Sequence, residues 1–263
     1  MSSSCTPSRR SSGRSTALSG CGPTPPKCRC QTLPEPRELR LVLVRHGESV
    51  WNSEGRSQGH GGTGLSERGH AQAQATAVFL ARAYPDTVLL VRSDLQRVVE
   101  TAAPAEIELG IDVHVDARLR EIDVGTWSGL TYHEIAEKDP EGYLAWIRRG
   151  DTDVRRGGGE TYAELRERVW PALRDALALK SEQRGTVLVF THGGPIRVAT
   201  AAALGLPTSA EARLAGVDNC SLTLLEWQDG LPRLMAYNRT HHLLSLDARD
   251  IERAASSRRD APT

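Results

Sequence analysis

An aliphatic segment that runs directly into charged residues occurs at residues 39–48, where the sequence reads LRLVLVRHGE. A continuous aliphatic run of this length is typical of a parallel strand that is buried on both faces. We therefore predict a strand over Leu39–Arg45, with His46 and Gly47 directly after its carboxyl end. In open α/β sheets, ligands bind beyond the carboxyl ends of the strands, so these residues are the first candidates for a functional site.

Strands and helices are predicted to alternate along the rest of the chain. Apolar runs of strand length occur at Thr87–Val91, Asp112–Val115, Thr186–Phe190, Cys220–Trp227 and Arg233–Asn238. Helical spacing occurs at Ser66–Ala83, at Asp94–Ala103 with a bend or end at Pro104, in pieces over Tyr132–Arg149, at Glu160–Leu179 with an interruption at Pro171, and at Pro195–Leu204. This alternation predicts an α/β fold, a three-layer sandwich in which helices flank a central, mostly parallel sheet.

The chain is predicted to contain one catalytic domain, residues 39–247, between two tails. Residues 1–38 are rich in Ser, Pro and Arg and show no regular spacing, which predicts a disordered segment. An organelle transit peptide and a start codon assigned too far upstream are the alternatives for this segment. Residues 248–263 are charged and lack periodicity, so we expect a frayed C-terminal tail.

Charge and hydropathy exclude several classes of protein. The chain has 33 basic and 33 acidic residues, which argues against nucleic acid as a partner. No apolar run approaches the roughly 18 residues of a membrane-spanning helix, so no membrane partner is expected. Four of the 5 cysteines precede residue 31, which does not fit a disulfide scaffold and predicts a reduced, cytoplasmic protein. The oligomeric state is left open, and a homodimer is compatible with the sequence.

Residues suited to phosphate chemistry follow four of the predicted strands. Arg45 and His46 follow the first, Arg97 the second, Glu121 the third and His192 the fourth. Guanidinium groups bind tetrahedral oxyanions through charge-assisted hydrogen bonds, and nearby cations keep an imidazole uncharged and nucleophilic. The set therefore predicts phosphoryl transfer through a phosphohistidine on His46, with no metal ion and no other cofactor.

Each of these residues also has a purely structural interpretation. A single His at a strand end is commonly a hydrogen-bonded structural residue, an Arg at a helix start is commonly a surface charge, and Glu is common in loops. Their joint occurrence at the strand ends favours the functional interpretation. Gly193 opens a predicted helix, whose exposed N–H groups also favour an anion.

The segment Arg155-Arg156-Gly157-Gly158-Gly159 has some likeness to a phosphate-binding loop. It lacks the Lys-Ser/Thr ending of a nucleotide P-loop and does not follow a clear strand. We interpret it as a flexible lead-in to the helix at Glu160. The alternative is that Arg155 or Arg156 reaches over the pocket to grip a charged substrate tail.

Several motifs together resemble the histidine phosphatase superfamily, also called phosphoglycerate-mutase-like. They are LVLVRHGESVWN at 41–52, LSERG at 65–69, SDLQR at 93–97 with ETA at 100–102, LRE at 119–121 through GTWSG at 125–129, and THGG at 191–194. The resemblance covers residues 39–240. It implies the following roles: His46 as phosphorylated nucleophile, Arg45, Arg97 and His192 as phosphate pocket, Asn52 as a phosphoryl contact, Gly193 as a backbone donor, Glu121 as the acid that later activates water, and Gln58 and Gly59 as substrate contacts.

The resemblance leaves phosphatase and mutase to be distinguished. Cofactor-dependent mutases carry a longer insertion after the catalytic Glu, rich in Arg and in Tyr-Asp-Pro-Pro-like sequence. The segment between Glu121 and His192 is short and has no such stretch, which favours the phosphatase branch. We expect a phosphomonoester hydrolase whose partner is a small sugar-phosphate or phosphoglycerate-type ester. A phosphoglycerate mutase and a catalytically silent phospho-ligand-binding module are the alternatives.

Overall fold

The computed structural model describes residues 39–228 and 230–246, with a six-stranded sheet at its centre. The strands are β1 (Leu39–Arg45), β2 (Thr87–Arg92), β3 (Val113–Val115), β4 (Gly185–Thr191), β5 (Leu222–Gln228) and β6 (Leu231–Arg239). Their order across the sheet is β3-β2-β4-β1-β5-β6. Strands β1 to β4 pair in parallel, and β5 runs antiparallel to both of its neighbours. The predicted mostly parallel sheet is confirmed.

Helices occupy most of the connections between strands. They are α1 (Val50–Ser53), α2 (Glu67–Ala83), α3 (Gln96–Leu109), α4 (Tyr132–Lys138), α5 (Pro140–Tyr143), α6 (Tyr162–Ala178) and α7 (Gly193–Ala203). A π-helical turn at Leu144–Arg148 follows α5. The prediction that Tyr132–Arg149 is helical in pieces is therefore confirmed.

Side chains along the central strands alternate between two apolar layers. In β1, Leu41 and Leu43 pack in one hydrophobic cluster with buried residues of α6 and α7. Val42 and Val44 pack in a second cluster with buried residues of α2 and α3. Because successive strand residues point to opposite faces, each face of the sheet is covered by its own pair of helices. This arrangement confirms the predicted three-layer sandwich.

Two helices continue through a proline. Helix α3 continues past Pro104, so the expected end there is wrong, while a bend at this residue stays a prediction. Helix α6 is not interrupted at Pro171, so that expectation is wrong. A proline inside a helix removes one backbone hydrogen bond and costs about 3 kcal/mol. In α3, however, Val98 precedes the proline, Ala105 follows it, and both lie in the core. Packing of apolar residues on both sides of the proline outweighs its local cost.

The predicted tails at 1–38 and 248–263 lie outside the described residues, so the domain division stays a prediction. Within 39–228 and 230–246, no helix has the length and apolar character needed to cross a bilayer.

The loop that follows β1 packs backbone against backbone on the start of α2. A Cβ atom at Gly69 would lie 2.0 Å from the carbonyl oxygen of Glu48, and one at Gly47 would lie 2.7 Å from the oxygen of Gly69. On its other side, the N–H of Gly47 donates to Thr101 Oγ1 in α3 at 2.9 Å. The loop is therefore fixed by two helices, and no side chain fits at Gly69 without displacing it.

We predict that Gly69→Ala lowers the free energy of unfolding by about 1–3 kcal/mol, because an added methyl group overpacks this contact. Gly216→Ala is the control, since a Cβ atom there meets nothing within 4 Å. Chemical denaturation of both variants measures the difference. Equal losses of stability in the two variants would contradict the contact.

Candidate active site

A cavity of about 280 Å³ lies beyond the carboxyl ends of β1 and β4. Its wall contains eight of the predicted site residues, namely Arg45, His46, Asn52, Gln58, Gly59, Arg97, Glu121 and Gly193. Two larger cavities of about 610 Å³ each share Leu39 and Trp227 in their walls, but neither contains a predicted site residue. Chemistry rather than size therefore identifies the site. Small-molecule pockets typically measure roughly 300–1,000 Å³, so this one suits a small ligand.

His46 begins the loop after β1 and is 2% exposed. Its Nδ1 lies 2.7 Å from the carbonyl oxygen of Gly47. A carbonyl oxygen only accepts hydrogen bonds, so Nδ1 carries the ring proton and Nε2 keeps its lone pair. Burial, followed by the positive charges of Arg97 and Arg45, holds the pKa of His46 well below its usual 6.5. The ring is therefore neutral at neutral pH, with a nucleophilic Nε2.

Arg97 lies in the first turn of α3 and is 2% exposed. Its Nε donates to His192 Nδ1 at 3.2 Å, and its Nη1 and Nη2 donate to the carbonyl oxygens of Gly61 and Gly59 at 2.8 and 2.7 Å. Each Nη atom carries a second hydrogen, which is available to a ligand. Burial lowers the pKa of Arg97 to about 10, so the group remains cationic at neutral pH.

Arg45, the last residue of β1, has an unused donor. Its Nη1 donates to the carbonyl oxygen of Val217, and its Nε is buried without a partner among the described residues. A Cβ atom at Gly193 would lie 3.7 Å from this Nε, so the donor is close to the first residue of α7. Leaving a buried N–H unpaired costs free energy, which an anionic ligand at this point would recover.

Glu121 caps the start of α7. Its Oε1 accepts from the backbone N–H of Gly194 at 3.0 Å and from that of Ile122 at 2.9 Å. A Cβ atom at Gly193 would lie 3.9 Å from Glu121 Oε2. Three groups therefore converge on one point of the cavity. They are the carboxyl group of Glu121, the backbone N–H of Gly193 and the unused Nε of Arg45.

His192 lies behind this wall rather than in it. It is 0% exposed, and its ring centroid is 5.1 Å from that of His46 in an edge-on arrangement. Because its Nδ1 accepts from Arg97, its Nε2 carries the ring proton and donates to Ser93 Oγ at 3.1 Å. Burial and then the charge of Arg97 lower its pKa well below the usual value. These contacts orient His46 and Arg97, while a direct contact of His192 with phosphate stays a prediction.

Two side-chain amides of the cavity wall, those of Asn52 and Gln58, use their oxygens within the protein. Asn52 Oδ1 accepts from Ser49 and from Asn219 Nδ2, and Gln58 Oε1 accepts from Ser49 Oγ at 2.9 Å. No hydrogen bond from the Nδ2 of Asn52 or the Nε2 of Gln58 occurs within residues 39–228 and 230–246. Gly59 contributes differently, since its carbonyl oxygen holds Arg97 in place.

The cavity wall also contains residues that the sequence analysis did not select. They include Arg56, Ser57, Tyr132, Trp146, Tyr162 and Arg197. These side chains come from helices and loops with no strand-end signal, so only the tertiary fold identifies them. The sequence left open whether Arg155 or Arg156 reaches the pocket. Arg156 lines the cavity, whereas Arg155 donates to Gly159 and to Glu164 instead.

The positive charge of the cavity comes from arginine side chains. Five arginines line it, namely Arg45, Arg56, Arg97, Arg156 and Arg197. In the part of the chain that the structure describes, no group of three or more His, Cys, Asp or Glu side chains could hold a metal ion. The arrangement is suited to binding a dianion and to stabilising charge that develops on it.

We predict that nitrogen NMR of the histidines shows His46 neutral at pH 6.5, with Nδ1 protonated and Nε2 unprotonated. The reason is that burial and two cations oppose protonation while the carbonyl oxygen of Gly47 selects the tautomer. A ring that is protonated at both nitrogens at this pH, or protonated only at Nε2, would contradict the assignment.

Comparisons with known proteins show which family the chain belongs to. The sequence profile of the histidine phosphatase superfamily (branch 1) matches residues 41–240. Glucosyl-3-phosphoglycerate phosphatase of Mycobacterium tuberculosis is 38% identical over 202 residues, covering 74% of this chain and 89% of that protein. A protein of Salmonella paratyphi C named "Probable phosphoglycerate mutase" is 36% identical over 191 residues, covering 73% of this chain and 86% of that protein.

A solved structure gives the same result. The structure of mycobacterial glucosyl-3-phosphoglycerate phosphatase complexed with VO3 matches with a TM-score of 0.70 and 36% sequence identity. The match covers 76% of this chain and 99% of that one. Since the profile spans most of the described residues and the relatives are aligned over most of their length, the chain belongs to the histidine phosphatase superfamily, as its motifs predicted.

Proposed function

We propose that this chain hydrolyses the phosphomonoester of a small metabolite in two steps, through a phosphohistidine on His46. The observation that carries the proposal is the contact of His46 Nδ1 with the carbonyl oxygen of Gly47, which leaves Nε2 free of a proton in a cavity lined by arginines. The enzyme is a histidine-type phosphatase, that is, a phosphoric monoester hydrolase.

In the first step, His46 Nε2 attacks phosphorus and the bond to the leaving oxygen breaks. Arg45 Nε, the remaining N–H groups of Arg97 and the amide of Asn52 bind the phosphoryl oxygens, where charge develops in the transition state. Glu121, as the general acid of this proposal, gives a proton to the leaving oxygen. The alcohol departs neutral, and the phosphoryl group stays on His46.

In the second step, water attacks the phosphohistidine. Glu121 is now a carboxylate and accepts a proton from the water, so it ends the cycle protonated as it began. The bond from phosphorus to Nε2 breaks and its electron pair returns to the imidazole. Throughout both steps, the hydrogen bond from Nδ1 to Gly47 keeps the ring in one orientation. The products are the alcohol and inorganic phosphate.

The substrate is a sugar-phosphate or phosphoglycerate-type ester in this proposal. Support comes from the small cavity and from the relative named for glucosyl-3-phosphoglycerate. The similarity to a protein named as a phosphoglycerate mutase supports the second candidate, a mutase. A mutase depends on a bisphosphorylated primer and releases a phosphorylated product, whereas a phosphatase releases inorganic phosphate without a primer. A phosphate assay with and without primer separates the two.

The proposed reaction does not depend on a metal ion. The five arginines of the cavity neutralise the dianion, so we expect full activity in the presence of a chelator.

The zero net charge gives no support to nucleic acid as a partner. Four of the 5 cysteines precede residue 31, which does not fit a disulfide scaffold and supports a reduced compartment such as the cytoplasm. A homodimer remains compatible with the sequence, and sedimentation measures the oligomeric state.

We predict that His46→Ala lowers phosphate release by at least ~10³-fold and abolishes a trapped phosphoenzyme, because the nucleophile is lost. Rapid quenching with a radiolabelled ester measures the trapped label, which is lost in acid and stable in base for a phosphohistidine. His114→Ala is the control, since His114 is an exposed residue of β3. Equal labelling of His46→Ala and wild type would refute His46 as nucleophile.

We predict that Glu121→Gln slows hydrolysis of alkyl phosphates by about 10²–10⁴-fold, since the leaving alcohol is no longer protonated. With p-nitrophenyl phosphate, whose leaving group needs no proton, the first step stays fast and only the second is slow. Stopped-flow absorbance then records a burst of one nitrophenol per enzyme. Equal slowing of both substrates without a burst would exclude Glu121 as the general acid.

A further inference from the structure

The cavity has a second basic region besides the phosphoryl pocket, formed by Arg156 on an aromatic wall. The guanidinium carbon of Arg156 lies 4.3 Å from the ring centroid of Trp146 and 5.1 Å from that of Tyr162. The two rings are themselves stacked, with centroids 5.1 Å apart and planes at 24°. Cation–π contacts of this kind hold the guanidinium plane in one orientation.

One edge of the Arg156 guanidinium has no partner. Both Nε and Nη2 are buried, and neither makes a hydrogen bond to any described residue. These two atoms lie on the same side of the planar group and form the fork that pairs with a carboxylate through two parallel hydrogen bonds. Since buried donors normally have acceptors, the unpaired edge indicates a ligand with two oxygens in one plane.

The other arginines outside the phosphoryl pocket differ in this respect. Arg197 uses its Nη1 on the hydroxyl of Tyr162 at 3.0 Å and its Nη2 on the carbonyl oxygen of Glu211, so only its Nε lacks a partner. Arg56 donates to Glu54 at 2.9 Å and to the carbonyl oxygen of Gly129 at 2.8 Å. Among the described cavity arginines outside the phosphoryl pocket, Arg156 alone has a complete free fork.

We propose that Arg156 binds a carboxylate on the leaving group, so that the substrates are phosphate esters of small carboxylic acids. This inference rests on the proposed function, because it assigns the phosphoryl group to the pocket of Arg45, His46 and Arg97. The cavity of about 280 Å³ holds both sites, which limits the acid to a small skeleton. Arg156 is then a specificity-determining residue that touches the substrate.

Two substrates test the proposal directly, 3-phosphoglycerate and glycerol 1-phosphate. They differ only in a carboxylate that replaces a hydroxymethyl group. We expect wild type to prefer 3-phosphoglycerate in kcat/KM by about 10- to 100-fold, the effect of a charge-assisted pair. Arg156→Gln reduces this preference to about threefold or less, because kcat/KM for 3-phosphoglycerate falls more than kcat/KM for glycerol 1-phosphate. Arg156→Lys restores only part of it, because an ammonium group has no fork.

Arg155→Gln is the matched control. It removes the same charge one residue away, from an exposed side chain that donates to Gly159 and Glu164 outside the cavity wall. The preference for 3-phosphoglycerate persists in this variant if Arg156 acts by direct contact. Equal effects of Arg155→Gln and Arg156→Gln would mean a general electrostatic effect and would overturn the proposal.

The outcomes separate the inference from the proposed function. If wild type hydrolyses both esters at similar kcat/KM, or if Arg156→Gln lowers both equally, the carboxylate site is refuted and the phosphatase stands. If wild type releases phosphate from neither ester nor from p-nitrophenyl phosphate, the proposed function is refuted. Calorimetry with His46→Ala then still tests the carboxylate site. The inference requires His46→Ala to bind 3-phosphoglycerate more tightly than glycerol 1-phosphate, and it requires His46→Ala/Arg156→Gln to lose this difference.

Discussion

A single hydrogen bond, from His46 Nδ1 to the carbonyl oxygen of Gly47, determines which nitrogen of the ring is free to react. Without it, the neutral ring would exchange between tautomers, and Nε2 would carry a proton for part of the time. The position of this carbonyl is fixed by the rest of Gly47. The N–H of Gly47 donates to Thr101 Oγ1, and the backbone of Gly69 packs directly against Gly47. The reactivity of one side chain therefore depends on backbone packing of the β1 loop against α2 and on its hydrogen bond to the Thr101 side chain of α3.

The distribution of unused donors explains how an arginine-rich cavity can both hold a substrate and orient it. Arg97 is tied to the protein by three hydrogen bonds, so its position does not depend on a ligand. Arg45 and Arg156 each keep buried N–H groups without a partner in the described part of the chain. Cations that the protein already holds in place stabilise the transition state without reorganisation of the protein. Cations whose N–H groups lack acceptors gain the most free energy when an anion binds.

The sequence predicts the parts of the site that follow strand ends. The apolar runs define β1, β2 and β4, which are neighbours in the sheet, and sheet geometry then brings His46, Arg97 and Gly193 to one cavity without any knowledge of the helices. The stack of Trp146 and Tyr162 is not predictable in this way, because it joins a π-helical turn to the start of α6. Local rules also fail at Pro104, where core packing on both sides of the proline outweighs its cost in the helix.

The central claim is that the phosphoryl group passes through the protein on its way to water. The stereochemical course at phosphorus tests it most directly, with an isotopically chiral phosphorothioate ester hydrolysed in labelled water. Two successive in-line displacements, first by His46 and then by water, each invert the configuration, so the account predicts net retention. Net inversion would mean that water attacks the ester in one step, and it would contradict a phosphohistidine intermediate.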